Sequence, residues 1–221
     1  MFIKNEWLAS SGLFLAKKGY ALNIVFKEGY PKKTFKVAGL SLKKVSTPKA
    51  MQEFLSGIVK RILNFESKAV IDSAIMEEAA NLKKYKFEDL ACPVGVNGID
   101  NYTKTIPIHV RGAKIFNEYF AKNRKDRIIS DKVKYILVKR WLTVQKLNFD
   151  KEYVLSVPTN KQEYWEELDK WIEPDYDRLR QKLILLPIDK IYKAMNWEIP
   201  NISRADVKSS FAKFKKKTGE N

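Results

Sequence analysis

Cysteine and histidine are almost absent from this sequence. Its 221 residues include one Cys, Cys92, and one His, His109. A lone thiol excludes an intrachain disulfide and any multi-cysteine metal site. A lone imidazole leaves little room for a histidine-based metal site or for a triad that needs a second ring. No apolar run approaches the roughly 18 residues of a membrane span, and Met1-Phe2-Ile3-Lys4-Asn5-Glu6 is too short and too polar for a secretory signal. There is no internal repeat, no Walker-type glycine loop and no serine-centred nucleophile elbow.

Acidic residues are also in short supply. Against 26 Asp and Glu stand 42 Lys and Arg, a net charge of +16. An excess of that size implies a polyanionic partner, most often nucleic acid. A lysine-rich proteome produces part of the same excess, so charge supports such a partner without establishing one. Hydrophobic residues make up 45% of the chain, enough for a real core, and the length suits one large or two small domains.

The stretch from Lys104 to Lys122 carries the sharpest pattern. Pro107 keeps Ile106 extended, so a helix is predicted to start near His109. Val110, Ala113, Phe116 and Phe120 then recur at three or four residues as one apolar stripe. His109, Arg111 and Lys114 fall off it, and a cationic helix edge suits a phosphate backbone. The competing reading is an ordinary surface helix with solvated charges. His109 reads as structural or phosphate-facing rather than catalytic, and Gly112 as a point of close backbone approach to DNA.

Taken in order, the chain predicts an α+β fold. Ser11-Gly12 reads as a break. Tyr20, Leu22, Ile24 and Phe26 alternate with Ala21, Asn23 and Val25 as in a strand, Gly29-Tyr30-Pro31 turns, and Thr34 to Leu42 returns. The expected product is an N-terminal antiparallel β-hairpin. Thr47 suits an N-cap and Pro48 a first helical position. A helix then follows, with Ala50/Met51, Phe54/Leu55, Ile58/Val59 and Ile62/Leu63 on its apolar side. A second helix from about Glu66 to Lys84, with Val70, Ile71, Ala74, Ile75, Ala79 and Leu82, should pack back on it. Phe87 to Thr105 reads as loop. Strands are expected over Lys132–Val138 and Glu152–Pro158, with Trp141–Leu147 extending or pairing with the first. Helices are expected over Gln162–Ile172 and Tyr176–Leu186, with Pro187 kinking the latter or starting another. Trp165 and Trp171 read as core. The segment after Pro200 is a polar, lysine-rich tail.

Several short stretches share one resemblance. Lys17-Lys18-Gly19-Tyr20-Ala21-Leu22-Asn23 resembles the Lys-Lys-Arg-Tyr-Ala-Leu-Asn signature near the end of the palm in family B DNA polymerases of tailed phages, with Gly19 in place of the arginine. Ser46-Thr47-Pro48-Lys49-Ala50 resembles the opening of the thumb, the domain that grips duplex product. Pro93 to Tyr102, and then Thr105-Ile106-Pro107-Ile108-His109-Val110-Arg111-Gly112, resemble the thumb segment lying against the primer strand. The strand ending at Pro158 resembles the short thumb-tip sheet. Ser210-Phe211-Ala212-Lys213-Phe214 echoes the terminal peptide with which phage polymerases bind a sliding clamp, although it lacks the leucine anchor. A disordered basic tail is the other reading of this last segment.

The resemblance implies a palm end at 1–45, a mainly helical thumb with a small antiparallel sheet at 46–200, and a tail at 201–221. It implies that Lys17 and Lys18 follow the minor groove of primer–template DNA and that Tyr20 supports the primer end. Lys49, His109, Arg111, Gly112 and Lys114 are implied to meet the backbone, and Ser210, Phe211 and Phe214 the clamp. The family's catalytic carboxylates lie in an Asp-Thr-Asp motif and an earlier aspartate. No Asp-Thr-Asp occurs here, and Asp175 and Asp177, two apart in a predicted helix, diverge by about 200°. The chain is therefore expected to hold no catalytic residue and no metal of its own. Mg ions and chemistry would come from a partner chain with exonuclease, fingers and catalytic palm, the two forming a split polymerase in the cytoplasm of an infected bacterium. No membrane partner is expected. A stand-alone basic nucleic-acid-binding protein is the alternative, and a small nuclease is disfavoured by the missing carboxylate cluster.

Overall fold

The computed structural model describes residues 7–16, 19–143, 153–200 and 202. It forms two compact units, one from Met1–Lys44, Met51–Leu82 and Gln181–Asn221, the other from Val45–Ala50 and Lys83–Arg180. The architecture is mixed α+β: an antiparallel sheet, then helices, then a second small antiparallel sheet.

The first unit begins with three strands rather than the expected two: β1 (Trp7–Ala16), β2 (Gly19–Lys27) and β3 (Tyr30–Ala38), in the order β1-β2-β3. The expected break at Ser11-Gly12 lies inside β1. Gly12 pairs with Leu22, and a Cβ there would stand 2.9 Å from Leu22 Cδ2. Its role is close packing within the sheet rather than chain termination. The β2–β3 turn is made at Glu28 and Gly29, both at positive φ (53° and 85°), earlier than the sequence suggests. That is the backbone which two-residue hairpin turns require. Pro31 is tolerated because β3 is an edge strand.

Strict alternation fails in β2. Ala21 and Ile24 are buried, whereas Tyr20 and Leu22 are half-buried and Phe26 is exposed. Leu13, Ala21 and Val37 form one buried row across the three strands. The next row on that face, Ser11, Asn23 and Phe35, reaches α1 (Lys49–Leu63). There Asn23 Nδ2 donates to Asn64 Oδ1 at 3.2 Å, just past the helix end, and Lys60 Nζ lies 5.3 Å from the Phe35 ring centre.

The stripe of α1 is buried through Met51, Leu55, Ile58, Val59, Ile62 and Leu63. The helix starts one residue after Pro48, not at it. α2 (Lys68–Asn81) buries Ile71, Ile75 and Ala79, and Leu82 is buried just after it, but Val70 is exposed. α8 (Leu186–Ala194) belongs to the same unit, and Tyr192 Oη donates to Asp72 Oδ1 of α2 at 2.7 Å. It follows a π-helical turn, Gln181–Leu185. Such a turn absorbs the register lost where Pro187 has no N–H to give, so the helix continues past the proline.

The second unit corrects the loop expected from Phe87 to Thr105. That segment contains α3 (Phe87–Leu90), β4 (Cys92–Gly95) and a 3₁₀ turn, Ile99–Asn101. Pro93 misled the sequence reading, because on an edge strand it costs no ladder bond. α4 (Ile108–Ile115) follows, then β5 (Lys132–Trp141) and β6 (Val154–Pro158), in the sheet order β4-β5-β6. The single helix expected over 162–172 is α5 (Gln162–Glu166), α6 (Leu168–Trp171) and then β7 (Ile172–Pro174), which pairs with the far end of β5. α7 (Tyr176–Arg180) closes the unit. Trp165 is core, as read, and its indole N–H donates to Pro158 C=O at 3.0 Å.

Candidate nucleic-acid interface

Pro107 at φ −60°, ψ 152° is the extended residue before α4, and the N–H groups of Val110 and Arg111 both donate to its carbonyl. Val110, Ala113, Phe116 and Phe120 are buried, as the spacing predicts. The last two lie on a π-helical turn, Phe116–Phe120. Phe116 meets Tyr164 edge-on with ring centres 4.9 Å apart, and Phe120 lies 4.7 Å from Trp171. Off the stripe, Lys114 is exposed and Arg111 half-buried. One helix thus presents both cations.

The other two residues on that edge behave differently. Gly112 is buried, and the close approach it permits is to β6: a Cβ there would lie 2.7 Å from the Ser156 backbone nitrogen and 3.0 Å from Leu155 C. Its missing side chain is therefore accounted for inside the protein. Ser156 Oγ donates to the His109 carbonyl at 2.7 Å, and the His109 ring stands 6.3 Å from Tyr135. Partial burial lowers the His109 pKa from its ordinary value. The His109 carbonyl ties α4 to the sheet.

Lys49, exposed, is the first residue of α1 and belongs to the same unit as α4. Tyr20 belongs to the other unit, on the central strand of the first sheet, with its ring 6.5 Å from that of Phe14. Lys17 and Lys18, and Ser210, Phe211 and Phe214 of the tail, lie outside the described residues. Asp175 and Asp177 have local duties. Asp175 Oδ1 accepts from the Arg178 N–H at 3.0 Å, and Asp177 pairs with Arg180 at 3.2 Å. Among the described residues no group of three His, Cys, Asp or Glu side chains is placed to hold a metal ion, and no helix is long and apolar enough to cross a membrane.

A second cationic surface follows α4 and was not singled out from the sequence. Lys122, Arg124, Lys125 and Arg127 are exposed, while Asp126 among them is only 7% exposed. Asp126 accepts from Tyr164 Oη at 2.7 Å and pairs with Lys161 at 2.8 Å. The bonds from Lys161 and then Tyr164 hold its carboxyl below the usual carboxylate range, and Asp126 in turn raises Lys161. Burial pushes Tyr164 up to about 12. The sequence signal was four cations around one acid within six residues. Its anchor was invisible there, because Tyr164 lies 38 residues away.

Fold and surface together define a basic α+β protein with cations set along a helix edge and a turn. No protein-family model matches the chain. The chain is similar to a DNA-directed DNA polymerase of Escherichia phage RB69, with 31% identity over a 151-residue alignment that covers 52% of this chain. It spans 17% of that relative's length. The chain thus carries a region related to a phage DNA polymerase.

Proposed function

We propose that this chain is the duplex-gripping, C-terminal palm-and-thumb part of a family B DNA polymerase, working with a partner chain that carries exonuclease, fingers and catalytic palm. The observation that carries this reading is the similarity to the RB69 polymerase. The net charge of +16 and the cationic edge of α4 are consistent with it. Lys49, Arg111 and Lys114 neutralise backbone phosphates, Lys17 and Lys18 follow the minor groove, and Tyr20 supports the primer end. The His109 carbonyl and Gly112 fix α4 on β6, and the half-exposed His109 ring faces the DNA backbone beside Arg111 and Lys114. Mg ions are held by the partner, since no Asp-Thr-Asp occurs here and both Asp175 and Asp177 are occupied locally. Phe211 and Phe214, with Ser210, engage a sliding clamp, and the assembly works in the cytoplasm of an infected bacterium.

Reconstitution tests this directly. Alone, the chain should incorporate no nucleotide. Mixed with the palm-containing chain it should form a 1:1 complex and restore primer extension, and deletion of residues 1–45 should abolish the complex. The double variant Phe211→Ala/Phe214→Ala should lose clamp-dependent processivity and keep distributive synthesis. Incorporation by this chain alone, or a palm chain equally active without it, would overturn the division of labour. A nucleic-acid-binding protein with no polymerase partner is the second reading, favoured by the charge alone, and would bind DNA while failing to complement any palm chain.

A further inference from the structure

The Lys122–Arg127 turn is anchored at Lys122, Asn123 and Asp126. The Lys122 N–H donates to Tyr164 Oη at 3.0 Å, and the Lys122 ammonium pairs with Glu167 at 3.1 Å. The Asn123 side chain accepts from the Lys125 N–H at 2.9 Å and caps a 3₁₀ turn, Arg124–Asp126. Asp126 is tied down by Tyr164 and Lys161. Beyond the turn, Asn117 brackets Ile128, giving its Nδ2 to the carbonyl at 2.7 Å and taking the N–H at 2.6 Å, and Ile128 is fully buried.

A turn that merely solvates its charges has no need of these anchors. Burying a carboxylate is costly unless it is paired and hydrogen-bonded, and holding Arg124, Lys125 and Arg127 close together adds like-charge repulsion. Both costs make sense where a polyanion relieves the repulsion and a fixed turn spares the entropy of ordering it on binding. Asn117 also lies three residues after Lys114 in the same continuous helix, which ties the turn to the cationic edge of α4. Phosphates repeated along a backbone suit two such linked surfaces better than an isolated acidic protein patch does.

We infer that the anchored Lys122–Arg127 turn is a second phosphate-binding surface for duplex DNA, contacted by Arg124, Lys125 and Arg127, with buried Asp126 as the positioning residue. It rests on the duplex-binding reading above and adds a strand contact which that reading does not contain.

The test is a salt titration of the full chain on a labelled primer–template duplex. Replacing Arg124, Lys125 and Arg127 together by Ala should make the log Kd against log salt slope shallower by about 2–3 and weaken binding about tenfold or more at 0.1 M salt. Asp126→Asn is the sharper variant. It removes a negative charge, so charge counting alone predicts tighter binding, whereas loss of the anchor predicts a Kd several-fold higher. Tyr164→Phe, which changes no charge at neutral pH, should weaken binding in the same direction. Circular dichroism and melting show whether Asp126→Asn folds; if it does not, the triple variant and Tyr164→Phe decide. A folded Asp126→Asn chain that binds more tightly, or a triple variant with unchanged slope, overturns the inference. If the triple variant is unaffected while Lys49, Arg111 and Lys114 variants lose binding, this inference alone falls. If the unmodified chain binds no duplex, the reading beneath it falls too.

Discussion

β6 in the second unit hides all five of its residues, whereas the first unit's sheet leaves Leu8, Phe14 and Tyr30 60%, 70% and 75% exposed. Both sheets are antiparallel and similar in strand number, so topology does not account for the contrast. The second sheet is closed by its own chain: α4 approaches β6 so tightly that only glycine fits at 112, and Ser156, the polar residue of that strand, is satisfied by the His109 carbonyl. The first sheet buries the row of Leu13, Ala21 and Val37 on one face and Ile24 on the other, yet leaves other apolar side chains such as Phe14 exposed. Exposed apolar surface of that kind marks a place for a partner. In the reading proposed here that partner is a catalytic palm, so one unit is complete in itself and the other completes itself on assembly.

The contrast predicts unequal costs. Gly112→Val should destabilise the chain by about 3 kcal/mol in urea unfolding, because the new side chain meets backbone of β6 that cannot swing aside. Acid should act on the second unit next. The carboxyls of Asp126 and Glu173 are both lowered, the former by Lys161 and Tyr164 and the latter chiefly by Lys139. Their stabilising contributions are therefore complete above the ordinary carboxylate values and are lost as pH falls through the lower folded ones. Melting temperature should fall in that window, and by less in Asp126→Asn. On the open sheet face, Phe14→Ser and Phe26→Ser should change stability by about 0.5 kcal/mol or less, yet weaken association with a palm chain in pull-down or sedimentation. The smallest effect concerns Phe65, 82% exposed at φ 59° where a helix-ending turn favours glycine. Phe65→Gly should be neutral or stabilising, by up to about 1 kcal/mol.

Local periodicity was a good guide wherever local packing decided the outcome. The stripes of α1 and α4 and the core role of Trp165 were legible because a helix buries the side its spacing dictates. Glycine and proline misled in both sheets for the same reason. Gly12 and Pro93 were read as breaks, but in strands such residues also mark close packing or an edge, and only the pairing partner tells which. The face of β2 was misjudged because Ala21 and Ile24, three residues apart in a stretch paired one to one with β3, are buried on opposite faces of the strand. At the candidate interface, Arg111 and Lys114 could be named from helical phase alone. The packing of Gly112 on β6 could not, since Ser156 and Leu155 come from a strand more than forty residues later. The Asp126 anchor was hidden likewise, and a buried acid between cations looks in sequence like any solvated pair.

Salt-dependent binding to primer–template DNA tests the central claim most directly. With Lys17, Lys18, Lys49, Arg111 and Lys114 each facing phosphate or groove and about five phosphates neutralised, the log–log slope should be about −4 to −5, and steeper by about 2–3 with the Lys122–Arg127 turn engaged. Binding should be indifferent to sequence. Tight binding that ignores salt, or no binding to primer–template at low salt, would contradict the account.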